Sequence, residues 1–114
     1  MKQPKDTSIF LGHILESVNF IEERLKNTSK EALENDIALQ DSIIRRLEII
    51  GEASRNIPEE FRHEHPEIPW RDILDTRNIL IHDYFGIDLK LVWEIITNDI
   101  PKLKLEIEKI LKTL

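Results

Sequence analysis

The sequence has no cysteine, few glycines and few aromatic residues, and these shortages narrow the class of protein. Because none of its 114 residues is Cys, disulfides and thiolate metal sites are excluded, which suits a reducing cytoplasm. Three Gly and 6% aromatic residues are fewer than an all-β fold normally carries, so a mainly helical fold is favoured. There is no apolar run near 18 residues and no charged-then-apolar leader, so we expect a cytoplasmic protein without a membrane span.

The charge is acidic overall but unevenly distributed. A net charge of −6 argues against a protein that holds nucleic acid through a broad cationic surface. Six of the seven arginines nevertheless lie between positions 45 and 77, together with eight acids and no lysine. Ion pairs on helix surfaces are the favoured interpretation. Specific bidentate pairing with carboxylate or phosphate is the alternative.

Hydrophobic periodicity in the first half of the chain predicts two long helices. The first begins near Asp6, Thr7 or Ser8, which are acceptable N-caps, and ends near Asn27. Thr28 and Ser29 can cap a short helical segment, and Asn35 with Asp36 can start a helix that runs to about residue 56.

The second half of the chain predicts two further helices. Pro58 ends the preceding helix, and a connector with one helical turn leads to Pro69, which suits the first position of a third helix. Asp88 can cap the last helix, which Pro101 must kink or break. The sequence therefore predicts one domain over residues 1–114, an all-α antiparallel up-and-down bundle of four main helices with short connecting turns.

The third helix carries an arginine where its apolar period calls for a core residue. Arg77 and Tyr84 continue the stripe of Trp70, Ile73, Leu74 and Ile81. A buried guanidinium is costly unless it is paired, so Arg77 must meet a carboxylate, carbonyl groups or an anionic ligand. An internal bridge to Glu48 or Glu52 on the second helix is the structural explanation.

A histidine and an asparagine lie close to this arginine in sequence. Asn78 and His82 are four residues apart and share a face, whereas Arg77 and His82 point about 140° apart on a straight helix. Either the helix ends or bends before His82, or two copies combine their polar residues across a two-fold axis. The second option makes the protein a homodimer with a composite cleft.

An arginine and a histidine without a metal-ligand cluster suit chemistry on a phosphodiester. The guanidinium of Arg77 can hold the phosphate, and the imidazole of His82 can transfer a proton near neutral pH. The RNA 2′-hydroxyl is a built-in nucleophile, so such a site needs no cofactor. The competing interpretation is that His82 is structural.

The stretch "RNILIHDY" fits an R-x4-H-x-Y motif, and with its flanking blocks the chain resembles the HepT-like toxins of the HEPN superfamily. The blocks are "LGHILESVNFIEE", "LEIIGEASRNIP", "HPEIPWRDILDTRNILIHDYFGIDLKLVWEII" and "DIPKLKLEIEKIL". The resemblance implies an all-α dimer whose motif lines a shared cleft. It also implies a metal-independent ribonuclease that is the toxin of a toxin–antitoxin pair.

The resemblance assigns a role to each motif residue. Arg77 and His82 would be catalytic, with Asn78 orienting the phosphate or His82. Tyr84 would receive AMP from an MntA-like nucleotidyltransferase antitoxin, which silences the toxin. The runner-up is a non-catalytic dimeric helical module that only binds this partner and is modified by it, and a purely structural four-helix bundle is a third interpretation.

The other conspicuous residues receive structural interpretations. His63 and His65 lie two apart in a connector without an evident third ligand, so a metal site there is not favoured. Trp70 and Trp93 are interpreted as core or interface anchors and not as base-stacking platforms.

Overall fold

The computed structural model of the chain describes residues 4–75 and 88–113, and every regular element in these two ranges is helical. The all-α class predicted from the sequence is thus confirmed, while the antiparallel order of four helices stays a prediction. The elements are α1 (Pro4–Leu25), α2 (Lys30–Asn35), α3 (Ile37–Arg55), α4 (Glu59–Glu64), α5 (helical residues 70–75), α6 (Leu89–Glu94), a π-helical turn (Ile95–Asp99) and α7 (Ile100–Thr113).

The first helix begins earlier than its predicted caps. Asp6, Thr7 and Ser8 lie inside α1, which already includes Pro4, so their assignment as N-caps was wrong. Proline is tolerated in a first helical turn because the N–H that it lacks would have no partner there. Thr7 is 3% exposed, so it packs inside the protein and does not end the helix. At the other end, Thr28 Oγ1 donates to the carbonyl of Arg24 at 2.7 Å.

The caps of the second and third helices are confirmed. Ser29 Oγ accepts a hydrogen bond from the N–H of Ala32 at 3.1 Å, and Asp36 Oδ1 accepts one from Leu39 at 3.0 Å. These oxygens satisfy N–H groups that have no partner within the first turn. The side chain of Gln40 donates to the carbonyl of Leu33 at 2.8 Å and so fastens α2 to α3.

The proline near the C-terminus widens the last helix instead of breaking it. Ile100 donates its N–H to the carbonyl of Ile95, five residues earlier, in the π-helical turn that precedes Pro101. A proline ring clashes with the carbonyl four residues before it, which here belongs to Thr97, and the wider turn changes the backbone around that carbonyl. The prediction of a break at Pro101 was wrong, since α7 includes this residue and continues to Thr113, while a kink there stays a prediction.

The hydrophobic core lies between α1, α3, α7 and the turn before α7. Its most buried side chains are Leu11, Ile14, Val18, Ile21, Leu33, Ile43, Ile57, Ile68, Val92, Ile96 and Ile107. These positions follow the helical spacing that the sequence predicts, so their burial is the main stabilising term of the fold. None of the described helices is long and apolar enough to cross a membrane.

Candidate functional site

The four residues predicted to form the site, Arg77, Asn78, His82 and Tyr84, lie outside the described residues. Their predicted convergence, the composite cleft and the bridge from Arg77 to Glu48 or Glu52 therefore stay predictions. The described structure instead defines the segments on either side of the motif. It also defines two concave surfaces formed with the helix that leads into the motif.

The segment before the motif is fixed by the connector between α4 and α5. Trp70, 7% exposed, donates its indole N–H to the carbonyl of His65 at 3.0 Å, and the N–H of Ile73 donates to the carbonyl of Pro69 at 3.1 Å. Pro69 thus precedes the helical residues by one position. The interpretation of Trp70 as a core anchor is confirmed by its burial, and Trp93 packs half-buried against the same core.

Two histidines, one in α4 and one in the connector, lie close to carboxylates, and these contacts are ion pairs only when the imidazole is protonated. His65 Nδ1 lies 3.2 Å from Glu67 Oε1, and His63 Nε2 lies 3.7 Å from Glu59 Oε1. The pKa of Glu67 is lowered from its ordinary value, first by a backbone hydrogen bond to its carboxylate and then by His65. In residues 4–75 and 88–113 no three His, Asp or Glu side chains form a group that could hold a metal ion.

The segment after the motif ends at a capped helix. Asp88 Oδ1 accepts hydrogen bonds from the N–H groups of Lys90 at 3.0 Å and Leu91 at 3.2 Å, as the sequence predicts. The chain thus leaves the motif at a fixed helix start.

The larger concave surface is an open groove of about 580 Å³ between α4 and α5, which we call the α4–α5 groove. It is lined by Glu59, Arg62, His63, Pro66, Trp70, Arg71, Leu74 and Asp75. Its volume falls within the range of small-molecule and cofactor sites. Asp75, the last described residue before the motif, lines the groove and lies two residues before Arg77 in the sequence.

Two arginines in this groove have no ion pair within the described part of the chain. Arg62 is half-buried, and its Nε is fully buried without a hydrogen-bond acceptor. Arg71 is exposed on the first turn of α5. A buried N–H without an acceptor typically costs about 1–3 kcal/mol, so Arg62 is the least satisfied cation of the described structure.

The smaller concave surface is an apolar cleft of about 90 Å³ between α3, α5 and the π-helical turn. It is lined by Leu47, Ile50, Pro69, Asp72, Ile73, Ile95, Asp99, Ile100 and Leu103. Its size lies well below the range of ligand sites, so we interpret it as a packing gap of the core.

Of the described arginines between positions 45 and 77, only Arg45 forms the helix-surface ion pair that the favoured interpretation expects. Arg24 and Arg46 stack on the ring of Phe20, with guanidinium-to-centroid distances of 4.7 and 4.4 Å. Arg45 Nη1 lies 3.8 Å from Glu48 Oε2 with 70% of the arginine side chain exposed. Such exposed pairs contribute little to stability.

The family of the chain follows from comparison with known proteins. A family model described as ribonuclease HepT-like matches residues 14–110, which covers most of the chain. The chain belongs to the ribonuclease HepT-like family. This confirms the resemblance based on the "RNILIHDY" motif and its flanking blocks. No solved structure gives a significant match to the chain.

Curated relatives cover nearly the whole chain. A protein of Thermococcus cleftensis named "Probable ribonuclease HepT" is 46% identical over 90% of this chain and 94% of its own length. A "Putative RNase" of Caldanaerobacter subterraneus subsp. tengcongensis is 42% identical over 98% of this chain and 97% of its own length.

One relative is about twice as long. A Methanocaldococcus jannaschii protein named as a gamma-glutamylcyclotransferase and "putative RNase" is 51% identical over 96% of this chain. The chain spans 50% of that relative's length.

Sequence reasoning did not find the α4–α5 groove. It interpreted residues 58–69 as a connector, because no short-range pattern brings Arg62 of α4 and Arg71 of α5 to one surface. The available signal was the concentration of arginine between positions 45 and 77, which was assigned to helix-surface ion pairs.

Proposed function

We propose that this HepT-like chain is a metal-independent endoribonuclease, the toxin of a HepT–MntA-type toxin–antitoxin pair. The observation that carries the proposal is the motif Arg77-x4-His82-x-Tyr84 inside a region that matches the ribonuclease HepT-like family. The names of the relatives support the ribonuclease activity. The pairing with an antitoxin rests on the family resemblance.

The motif residues suit cleavage by the RNA's own 2′-hydroxyl. His82 would remove the 2′-hydroxyl proton while the 2′-oxygen attacks phosphorus and the bond to the 5′-oxygen breaks. The 5′-oxygen leaves as a hydroxyl with a proton from imidazolium or water, and a 2′,3′-cyclic phosphate remains. Arg77 would offset the charge that develops on the phosphoryl oxygens. Asn78 would orient the phosphate or the imidazole.

The two-fold composite cleft solves the geometric problem of the motif. Because Arg77 and His82 are five residues apart, one straight helix cannot direct both at a single phosphate. A homodimer can combine Arg77 of one chain with His82 of the other.

The cleavage test compares three purified proteins on RNA in the presence of a chelator. The native chain is expected to cut, whereas His82→Ala is expected to lose cleavage by about 10²–10⁴-fold, the usual contribution of one positioned acid–base group. Arg77→Ala is expected to lose about 10²–10³-fold, the usual contribution of one group that stabilises developing charge. Equal cleavage by all three samples would mean contamination. That result would favour the non-catalytic module that only binds its partner.

Silencing by a MntA-like nucleotidyltransferase would act through Tyr84. The AMP group adds a phosphodiester anion, a ribose and a base next to Arg77, and so would fill the RNA phosphate site. Tyr84→Phe is expected to keep RNA cleavage and to escape silencing by the partner with ATP. Full silencing of this variant would refute modification at Tyr84.

A further inference from the structure

The acidic charge of the chain restricts where RNA can bind. With a net charge of −6, a broad cationic surface is not available, so phosphate contacts must come from a few arginines that acids do not already neutralise. Among the described arginines, Arg24, Arg45 and Arg46 are used by Phe20 or Glu48, and Arg55 is exposed on α3 and does not line the α4–α5 groove. Arg62 and Arg71 share the α4–α5 groove without an ion pair in the described residues.

The composition of the groove suits a nucleotide chain. Pro66, Trp70 and Leu74 supply apolar surface, and the two guanidiniums supply donors with the planar geometry that binds phosphate bidentately. The Nε of Arg62 is buried, so a phosphate in the groove would have to use the other guanidinium nitrogens of this partly buried side chain. Trp70 is buried and hydrogen-bonded to the carbonyl of His65. Its ring therefore forms the base of the groove and is not a surface on which a nucleotide base stacks.

The two acids among the described lining residues equal the two arginines in number, so their formal charges sum to zero with His63 neutral. Glu59 lies 3.7 Å from His63, and Asp75 lies on the α5 side of the groove. Neither carboxylate forms an ion pair with Arg62 or Arg71. A phosphate chain that follows the arginines therefore gains charge-assisted hydrogen bonds locally even though the whole protein is acidic.

The position of the groove along the chain connects it to the motif. Asp75, the last described residue before the motif, lines the groove, and Arg77 follows two residues later in the sequence. Consecutive Cα atoms are about 3.8 Å apart, so two steps of the chain span at most about 7.6 Å. Chain connectivity alone therefore keeps the Cα of Arg77 within about 7.6 Å of the Cα of a residue that lines the groove.

We propose that the α4–α5 groove binds the phosphates of single-stranded RNA that flank the cleaved bond, through Arg62 and Arg71. This inference rests on the proposed ribonuclease function and extends it to the binding of the substrate outside the reacting phosphodiester. Arg62 and Arg71 are binding residues in this account and take no part in the proton transfers.

The first test measures binding without cleavage. A fluorescent single-stranded RNA in which every 2′-hydroxyl is methylated cannot be cut through its own nucleophile, so anisotropy reports binding alone. Arg62→Gln with Arg71→Gln is expected to weaken binding at least tenfold. Because two cations no longer reach phosphates, the plot of log affinity against log salt should also become less steep, its negative slope shrinking in magnitude by about 1.4. Lys102→Gln with Lys112→Gln, which removes two exposed cations of α7, is the control for net charge and should bind like the native chain.

The second test separates binding from chemistry. A dinucleotide has only the reacting phosphodiester, so the double variant should cut it at the native rate while its KM for longer RNA rises. Unchanged affinity and salt slope would overturn the proposal. So would native RNA binding combined with loss of binding to the nucleotidyltransferase, which would make the groove a protein-docking surface. If the native chain binds methylated RNA through Arg62 and Arg71 but cuts no RNA, the result supports RNA binding in the groove and contradicts the proposed catalysis.

Discussion

The indole Nε1 of Trp70 donates a hydrogen bond to the carbonyl oxygen of His65, with 3.0 Å between the two atoms. This bond crosses the connector that contains two prolines and joins its first residue to the first helical residue of α5. Because Trp70 is also buried, the bond is shielded from water and fixes where the helix begins. The start of α5 in turn sets the floor of the α4–α5 groove and the point from which the chain enters the motif.

Trp70→Phe is expected to destabilise the protein by about 1–3 kcal/mol, because it removes the indole donor and leaves space in the core. Urea unfolding followed by circular dichroism measures the change in the free energy of unfolding. Trp93→Phe is the matched control, since Trp93 packs half-buried against the same core. An equal or larger loss in the control would show that the bond to His65 contributes nothing particular.

Asp88→Ala is expected to lower stability by about 0.5–2 kcal/mol, because Asp88 caps the helix that follows the motif. Two backbone N–H groups, those of Lys90 and Leu91, lose their acceptor. Thermal unfolding compares this variant with Asp41→Ala, an exposed acid in the interior of α3. If both variants melt at the same temperature, the cap is not a stabilising contact.

Ile107→Ala is expected to cost about 2–5 kcal/mol, because the side chain is 0% exposed and its removal leaves a cavity in the core. Leu105→Ala, two residues away on α7 and 56% exposed, should change stability by less than about 0.5 kcal/mol. Chemical denaturation of both variants provides the comparison. Similar losses would contradict the assignment of the buried face of α7.

The Lys104–Glu22 pair predicts a loss of stability at alkaline pH. Lys104 Nζ lies 3.1 Å from Glu22 Oε1, and contact with this carboxylate raises the pKa of Lys104 above its ordinary value of 10.5. A group with a raised pKa contributes its full stability below the unfolded pKa and loses it as pH rises through the folded pKa. Lys104→Met should therefore flatten the alkaline decline of the free energy of unfolding. Lys102→Met, exposed on the same helix, should leave that decline as steep as in the native chain.

Much of the helix pattern could be predicted because it depends on short-range chemistry. Ser29, Asp36 and Asp88 each accept hydrogen bonds from the start of the helix they precede, and any chain segment with such a residue before a periodic apolar stripe gives this signal. The start of α1 was missed since the packing of Thr7 in the protein interior is a tertiary effect. The π-helical turn before Pro101 was missed because sequence rules treat proline as a break, whereas the backbone can widen by one residue.

Part of the candidate site could likewise be predicted from the sequence, and part could not. The motif from Arg77 to Tyr84 is recognisable in the sequence because its residue types break the apolar period of the helix. The α4–α5 groove is not, because Arg62 and Arg71 meet only when the connector folds back. A buried N–H without an acceptor, such as the Nε–H of Arg62, can be identified only once burial and hydrogen bonding are known for each atom.

The central claim is that two chains combine Arg77 of one with His82 of the other around one RNA phosphate. It is tested most directly by unfolding and refolding Arg77→Ala and His82→Ala together and measuring RNA cleavage in chelator. Random pairing should give heterodimers with one intact pair, and thus about a quarter of the native activity from two inactive proteins. Cleavage by the mixture no greater than that of either variant alone, while the native chain refolded in parallel is active, would contradict the claim.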